Sequence, residues 1–247
     1  MGRIIGISGR KQSGKSTTAN YINGDILKIR GMVESFDITE DGKLMISTAM
    51  ESDGTAAMGE FDVTRRDHQF TAYAEREMWP FVKVYHFADT LKNMCIELFG
   101  MEPKMVYGTD DQKNQDTVYS WEDMPTNTGK TGPMTSREFL QYFGTVIVRE
   151  INQNAWVQST IKRIQSEDSG VAIVPDVRFP NEVQAIKHAG GVVIRMERDP
   201  FTCDHKCESA LDRDRFDWNE FEAIVPNTAV TIPQLITELD RLSYLWR

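Results

Sequence analysis

At 247 residues the chain is ample for one sizeable α/β core, and its three cysteines, an odd number in a chain this long, make no disulfide framework and fit a reducing compartment. With 28 Lys+Arg against 37 Asp+Glu the formal charge is -9, which argues against broad electrostatic binding of nucleic acid and leaves only a local basic cleft open. No run of about 18 apolar residues exists to span a bilayer, and the N-terminus reads as a strand rather than a cleavable signal peptide, so a soluble, cytoplasmic protein is expected.

Arg3 to Ser8 reads as a short buried strand that runs directly into Gly9-Arg10-Lys11-Gln12-Ser13-Gly14-Lys15-Ser16-Thr17. This spacing is that of a phosphate-binding loop. Gly9 and Gly14 allow backbone conformations a Cβ would block, so that successive N–H groups, those of Ser13 to Thr17 among them, can turn towards phosphate oxygens. Lys15 adds a positive charge, and Ser16 offers a hydroxyl to a magnesium ion bridging the phosphates of ATP. The helix opening at Ser16 aims its positive dipole end at the same anion.

Beyond that helix, the alternation in Leu27 to Arg30 and again in Leu44 to Ser47, around the turn former Glu40-Asp41-Gly42-Lys43, predicts an inserted hairpin with an exposed, acidic tip. Glu51 to Gly59 is small and Gly/Ala-rich and reads as a flexible loop, Phe61 to Thr64 as a short strand, and Ala72 to Met78 as helical. The whole of 27–78 either covers the active site or decorates the sheet edge, and decoration is the expectation.

Phe81 to Phe87 forms a second core strand. A helix to Phe99 follows, placing Asp89 and Lys92 at the strand's C-terminal end, where open parallel sheets bind ligands. Lys92 is either a ligand-facing or an ordinary solvated lysine. Met101 to Pro133 is long, polar and broken by Gly and Pro; Tyr107 and Trp121 within it offer faces on which a base could stack, or simply pack under the loop. Thr135-Ser136-Arg137-Glu138 has the form of a capping box. The helix it opens buries Phe139, Leu140, Phe143, Val146 and Ile147, and carries Arg137, Gln141, Thr145 and Arg149 at i+4 steps as one polar stripe. Such a stripe is solvated surface or, with Gly144 allowing close approach, a seat for a nucleotide's phosphate and base.

After a helix from Trp156 to Gln165, Val171 to Asp176 is an apolar strand ending in a carboxylate. In a phosphate-loop fold an aspartate there holds magnesium directly or through water, and Arg178 lies close to the phosphates; the alternative is a local Asp176–Arg178 ion pair. A helix from Glu182 to Ala189 and a strand from Val192 to Met196 continue the alternation of a parallel sheet. Residues 198–221 read as a charged segment between the last two strands, either an exposed loop or a mobile lid that brings Arg198, Arg213 or Arg215 over the transferring group. Cys203, His205 and Cys207 have no second zinc knuckle to pair with, so a loop is favoured over a metal site. Ala223 to Val225 is the last strand, and Thr231 caps a terminal helix that packs through Leu235, Ile236, Leu239 and Leu242.

Taken together, these motifs resemble the phage deoxynucleoside monophosphate kinases, a branch of the phosphate-loop kinases. The likeness covers Ile4 to Thr17, Phe87 to Lys92, Tyr107 to Asn114, Thr135 to Trp156 and Pro175 to Arg198, and more loosely Asn227 onward. Thr135 to Thr145 paired with Asp176 to Glu182 is its most telling part. The resemblance implies transfer of the ATP γ-phosphate to a 2'-deoxynucleoside 5'-monophosphate. By that likeness Arg137, Gln141 and Arg149 would contact the acceptor, and His205 and Glu208 match a short motif in the lid; Lys92, Trp121 and Thr145 are further acceptor-side candidates from their own positions in the chain. The expected fold is a single three-layer P-loop kinase domain over 1–247, built on a parallel five-stranded sheet. A β-rich insertion follows its first helix, 101–156 forms the acceptor-nucleotide region, and a lid lies between the last two strands. Lys15, Asp176 and Arg178 are the expected catalytic groups, Ser16 and Asp176 the magnesium ligands, ATP and Mg2+ the cofactors, and host cytoplasm the location of a phage-encoded protein; a homodimer is left open. A kinase of another acceptor (a small alcohol or a modified base in DNA) and an ATP-binding regulatory module are the rival readings, whereas a guanine-nucleotide switch lacks its Asn-Lys-x-Asp base reader here.

Overall fold

The computed structural model describes residues 2–50, 56–126, 129–198, 209–226 and 231–247. By its contacts the chain forms two compact units, Met1–His86 with Ile161–Arg247 and Phe87–Thr160.

The first unit begins with β1 (Arg3–Ser8), in which every residue after Arg3 is buried. A strand covered on both faces needs a continuous apolar run rather than an alternating one, and Ile4, Ile5 and Ile7 supply it. Helix α1 (Lys15–Ile29) follows. Its length corrects the hairpin expectation at Leu27 to Arg30: Ile22, Ile26 and Leu27 are buried along one helical face while Ile29 points to solvent. Four residues are too few to separate a period of two from one of 3.6, and a helix already under way propagates at little cost.

The insertion is a three-stranded antiparallel sheet of β2 (Phe36–Ile38), β3 (Leu44–Met50) and β4 (Ala56–Glu60), with β3 in the middle. β4 lies within the stretch expected to be a loop. Its alanines and glycine carry little strand propensity, but the pairing of Gly59 with Ile46 and Glu60 with Met45 supplies what propensity does not. Phe61 to Thr64, expected as a strand, is not one: the Asp62 carboxylate accepts from the Thr64 backbone N–H at 2.8 Å and its hydroxyl at 2.7 Å, a local turn that competes with the ladder. Asp67 then caps α2 (His68–Glu77), accepting from the Phe70 N–H.

The remaining strands of the unit are β5 (Val82–Val84), β8 (Val171–Val177), β9 (Val192–Met196) and β10 (Ala223–Val225). With β1 they make one parallel sheet in the order β10-β9-β1-β8-β5. β5 is shorter than the expected Phe81 to Phe87, because the chain leaves the sheet once Tyr85 has given its N–H to the Ile173 carbonyl. Helix α9 (Pro180–His188) connects β8 to β9, and α10 (Ile232–Arg241) packs through Leu235 and Leu239. This is the expected α/β fold, with the antiparallel insertion after its first helix. The chain end closes the unit's core: Trp246 is buried and donates its indole N–H to Asp25 at 2.8 Å, and Arg247 pairs with the same carboxylate at 2.8 Å.

The second unit contains α3 (Asp89–Phe99), α4 (Pro103–Tyr107), α5 (Asp110–Lys113), β6 (Asp116–Ser120), β7 (Pro133–Thr135), α6 (Ser136–Gln141) and α7 (Arg149–Ile151), and the first residues of α8 (Ala155–Glu167). The long stretch after Met101 therefore holds several short elements. Each is too brief to show a hydrophobic period, and α5 is specified instead by a capping box between Thr109 and Gln112. An aromatic cluster forms the core, with Phe139 stacked on Tyr119 at 4.6 Å and edge-on to Phe99 at 5.0 Å. Between α6 and α7 the residues Tyr142–Val148 wind as a π-helix.

Candidate active site

The loop leaving β1 takes the shape its glycines permit. Gly14 sits at φ 93, a left-handed conformation, and stands at the N-cap of α1, where it has no side chain to compete with a ligand for the first N–H groups of that helix. A Cβ on Gly9 would collide with the Ser13 hydroxyl and lie 3.0 Å from the Met196 Cβ. The Lys15 ammonium folds back over the loop and donates to the carbonyls of Gly9 at 2.7 Å and Arg10 at 2.5 Å. Neutral carbonyls are weak competitors for an ammonium beside an anionic phosphate, so this arrangement holds the lysine at the site.

Asp176 is half-buried one residue before the end of β8, and the register pairs Ser8 with Val177. The carboxylate thus stands at the carboxyl end of the strand adjoining the one that feeds the loop. Arg178 is exposed just beyond it. Its own N–H and that of Phe179 are both bound by the Glu182 carboxylate, at 2.6 Å and 3.0 Å, which fixes the turn into α9 and leaves Arg178 at a defined position.

The insertion reaches this loop. Asn20 on α1 donates to the Gly42 carbonyl at 2.9 Å, Gly42 is buried at φ 82, and a Cβ there would run into the Thr17 hydroxyl. The hairpin turn is therefore docked on α1 through Gly42 while Glu40, Asp41 and Lys43 are exposed as expected, and Glu40, Asp41 and Gly42 line a cavity of about 260 Å³ together with Gln12 to Thr17, Arg198 and Ile232. On the other side of Ser16, a smaller cavity of about 150 Å³ is walled by Lys43, Glu60, Asp62 and Thr64 of the inserted region and by His86 and Pro175 at the strand ends. Decoration of the sheet edge is thus the wrong reading of the region: it contributes walls on both sides of Ser16.

The acceptor-side residues lie in the second unit. The expected capping box is present, with Glu138 accepting the Thr135 N–H at 3.1 Å. Arg137 pairs with Asp110 at 2.6 Å, Gln141 and Thr145 are exposed, and Arg149 is half-buried. Between Gln141 and Arg149 the residues Tyr142–Val148 take the wider π turn, and π segments of this kind frequently mark functional sites. Gly144 is occupied differently from expectation: a Cβ on it would stand 2.8 Å from Leu91, and its carbonyl accepts from the buried Trp156 indole at 3.0 Å. Trp121 packs edge-on against Tyr142 at 5.8 Å within the unit's core, with the Lys130 ammonium 4.2 Å over its ring, so packing accounts for this indole. Lys92 lies 4.6 Å over the Tyr107 ring, which donates its hydroxyl proton to Asn93.

Of the expected lid, His205 and Glu208 lie outside the described residues, as do Cys203 and Cys207. The described part, 209–221, is packed rather than loose, with Leu211 and Phe221 buried. Arg213 pairs with Glu197 at 2.9 Å and stacks 4.0 Å over Trp218, and Arg215 donates to the Ser209 hydroxyl at 2.9 Å. Among the described residues there is no cluster of three or more His, Cys, Asp or Glu arranged for a metal. Three charged residues beside the loop escaped sequence reasoning: Arg195, Asp212 and Arg10. A guanidinium within the apolar run of β9 was the available signal, because arginine is almost never fully buried without a partner.

A phosphate loop opening the first helix of a five-stranded parallel sheet, with an aspartate at the end of the adjoining strand, defines the class as a phosphate-loop nucleotide-binding α/β protein. The profile of the family "Deoxynucleotide monophosphate kinase" matches residues 3–218, and the chain belongs to this family of phosphotransferases. It is also similar to a protein of Acanthamoeba polyphaga mimivirus, named "Putative deoxynucleotide monophosphate kinase". The two are 29% identical over 141 residues, which span 51% of this chain and 66% of that relative. Among the described residues no helix is long and apolar enough to cross a membrane.

Proposed function

We propose that the protein transfers the γ-phosphoryl group of ATP to a 2'-deoxynucleoside 5'-monophosphate, giving ADP and the deoxynucleoside diphosphate, in nucleotide supply for phage DNA synthesis in the host cytoplasm. The observation that carries this reading is the phosphate loop with Lys15 folded over it and Asp176 at the end of the neighbouring strand, in a chain of this family. The acceptor is a phosphate oxygen whose second pKa is about 6, so it is largely ionised at neutral pH and needs no strong general base. Positioning and charge neutralisation then dominate.

In this mechanism the N–H groups of Ser13 to Thr17 and the Lys15 ammonium hold the donor phosphates, and Lys15 exchanges its two carbonyl partners for phosphate oxygens. Arg178 faces the charge that spreads over the transferring group. Arg137, Gln141, Thr145 and Arg149 orient the acceptor. The Ser16 hydroxyl and the Asp176 carboxylate are hard oxygen donors that suit Mg2+, and it is these two that would hold the ion. When bound, magnesium neutralises charge on the donor phosphates.

A coupled ADP-release assay with MgATP against the four common deoxynucleoside monophosphates and their ribose counterparts tests the proposal, with Lys15→Ala as control. Turnover on at least one deoxynucleotide, lowered by about a hundred- to a thousand-fold in the variant, is the expected result. No turnover on any of them, with ATP still bound, would overturn the acceptor assignment.

A further inference from the structure

The Arg195 side chain is buried in the middle of β9, opposite Ser8 in the register, and donates to the Ser8 hydroxyl at 3.0 Å. Ser8 is the last residue before the phosphate loop. The same guanidinium stands 3.6 Å from Asp212 and lies 5.0 Å over the Trp218 ring. Asp212 in turn takes two hydrogen bonds from Arg10, the second residue of the loop, at 2.6 Å and 3.3 Å. Both members of the Arg10–Asp212 pair are mostly shielded, with side chains 20% and 17% exposed, so the pair is neither screened by bulk water nor free to rearrange at little cost.

This chain of contacts joins three parts of the first unit: the central sheet through Arg195, the described part of the expected lid through Asp212, and the phosphate loop through Arg10. We infer that Asp212 is a positioning residue for the donor site: by gripping Arg10 it fixes the Gly9–Arg10 backbone, whose carbonyls hold Lys15, and so presets the loop for phosphate. This inference rests on the reading of the loop as the MgATP site. Physically, one carboxylate lies between two guanidiniums. Neutralising it leaves two like charges facing each other at the root of the loop, one of them buried, and the loop would shift to separate them.

The segment 209–221 is held independently of Asp212. The Trp218 indole donates to the Leu211 carbonyl at 2.9 Å and stacks on Arg213. Removing the Arg10 contact should therefore disturb the loop without unfolding the segment.

The test measures MgATP binding by titration calorimetry, and separately KM for each substrate, in wild type, Arg10→Gln, Asp212→Asn, the double variant and the charge exchange Arg10→Asp/Asp212→Arg. The expected result is MgATP affinity weakened about ten-fold in either single variant, no further loss in the double variant, partial recovery in the exchange, and an unchanged KM for the acceptor. Arg10→Gln removes the charge while keeping a polar side chain, and keeps the test alive if Asp212→Asn does not fold. Wild-type affinity in Arg10→Gln, or additive losses in the double variant, would overturn the inference. Failure of the wild type itself to bind MgATP would instead overturn the donor-site reading beneath it.

Discussion

Asp176 stands where a half-buried carboxylate is useful to a hard cation and costly without one, since burial penalises the charge while the strand's end keeps it within reach of the loop. Asp176→Asn is expected to raise the magnesium concentration needed for half-maximal turnover by about ten- to a hundred-fold, measured by metal titration at saturating ATP and acceptor. Glu167 shows the opposite balance at the far side of the sheet. Burial raises its carboxyl, but hydrogen bonds from Lys83 at 2.6 Å and Arg163 at 2.9 Å outweigh that and pull it below the ordinary value. A carboxylate depressed on folding contributes stability above its unfolded pKa and loses it as pH falls through the lower folded one. Glu167→Gln should accordingly flatten the loss of stability below about pH 4.5, read from urea midpoints across an acid pH series.

Among elements, the inserted sheet carries the most consequence, because its turn touches α1 one helical turn from Ser16. Gly42 is in the left-handed region and packed on Thr17, so any side chain there is both strained and obstructed. Gly42→Val is expected to cost about 1–3 kcal/mol and to raise the KM for MgATP several-fold, measured by thermal denaturation and steady-state kinetics. Unchanged kinetics in a folded variant would show that the turn is not part of the donor site. In the second unit the capping box at Thr135 positions the helix carrying Arg137 and Gln141. Thr135→Ala should cost about 1 kcal/mol in stability and weaken the acceptor KM more than that of ATP.

For the whole molecule, the first unit is tied together by residues far apart in the chain. Trp246, 1% exposed, seals the core beneath α1 and hydrogen-bonds Asp25 there. Trp246→Ala is expected to destabilise by about 3–5 kcal/mol, seen as a lower urea midpoint, through the cavity it leaves and the weakened partnership of Asp25. The phosphate loop lies on the opposite, ligand-binding end of the same helix and should keep its affinity for MgATP wherever the variant remains folded.

Local chemistry was legible where several signals agreed within a dozen residues. The phosphate loop, the Thr135 capping box, the strand carrying Asp176 near its end and the alternation of strands with helices all follow from spacing, and the structure contains each of them. Short elements were less legible: β4 has almost no strand propensity, and Leu27 to Arg30 fits two periods at once. Pairing partners and helix continuation decided those, and neither is a local property. Pattern gave the helix that the Thr135 capping box opens, but not the π turn that follows it, which is set by backbone hydrogen bonds rather than side-chain type. The sequence by itself thus determined the phosphate loop, its lysine and the order of the elements. Only the tertiary structure decided that the insertion walls that loop and that Arg195 and Asp212 grip its root. Contacts between residues from 22 to 202 positions apart leave no spacing in the chain to be read.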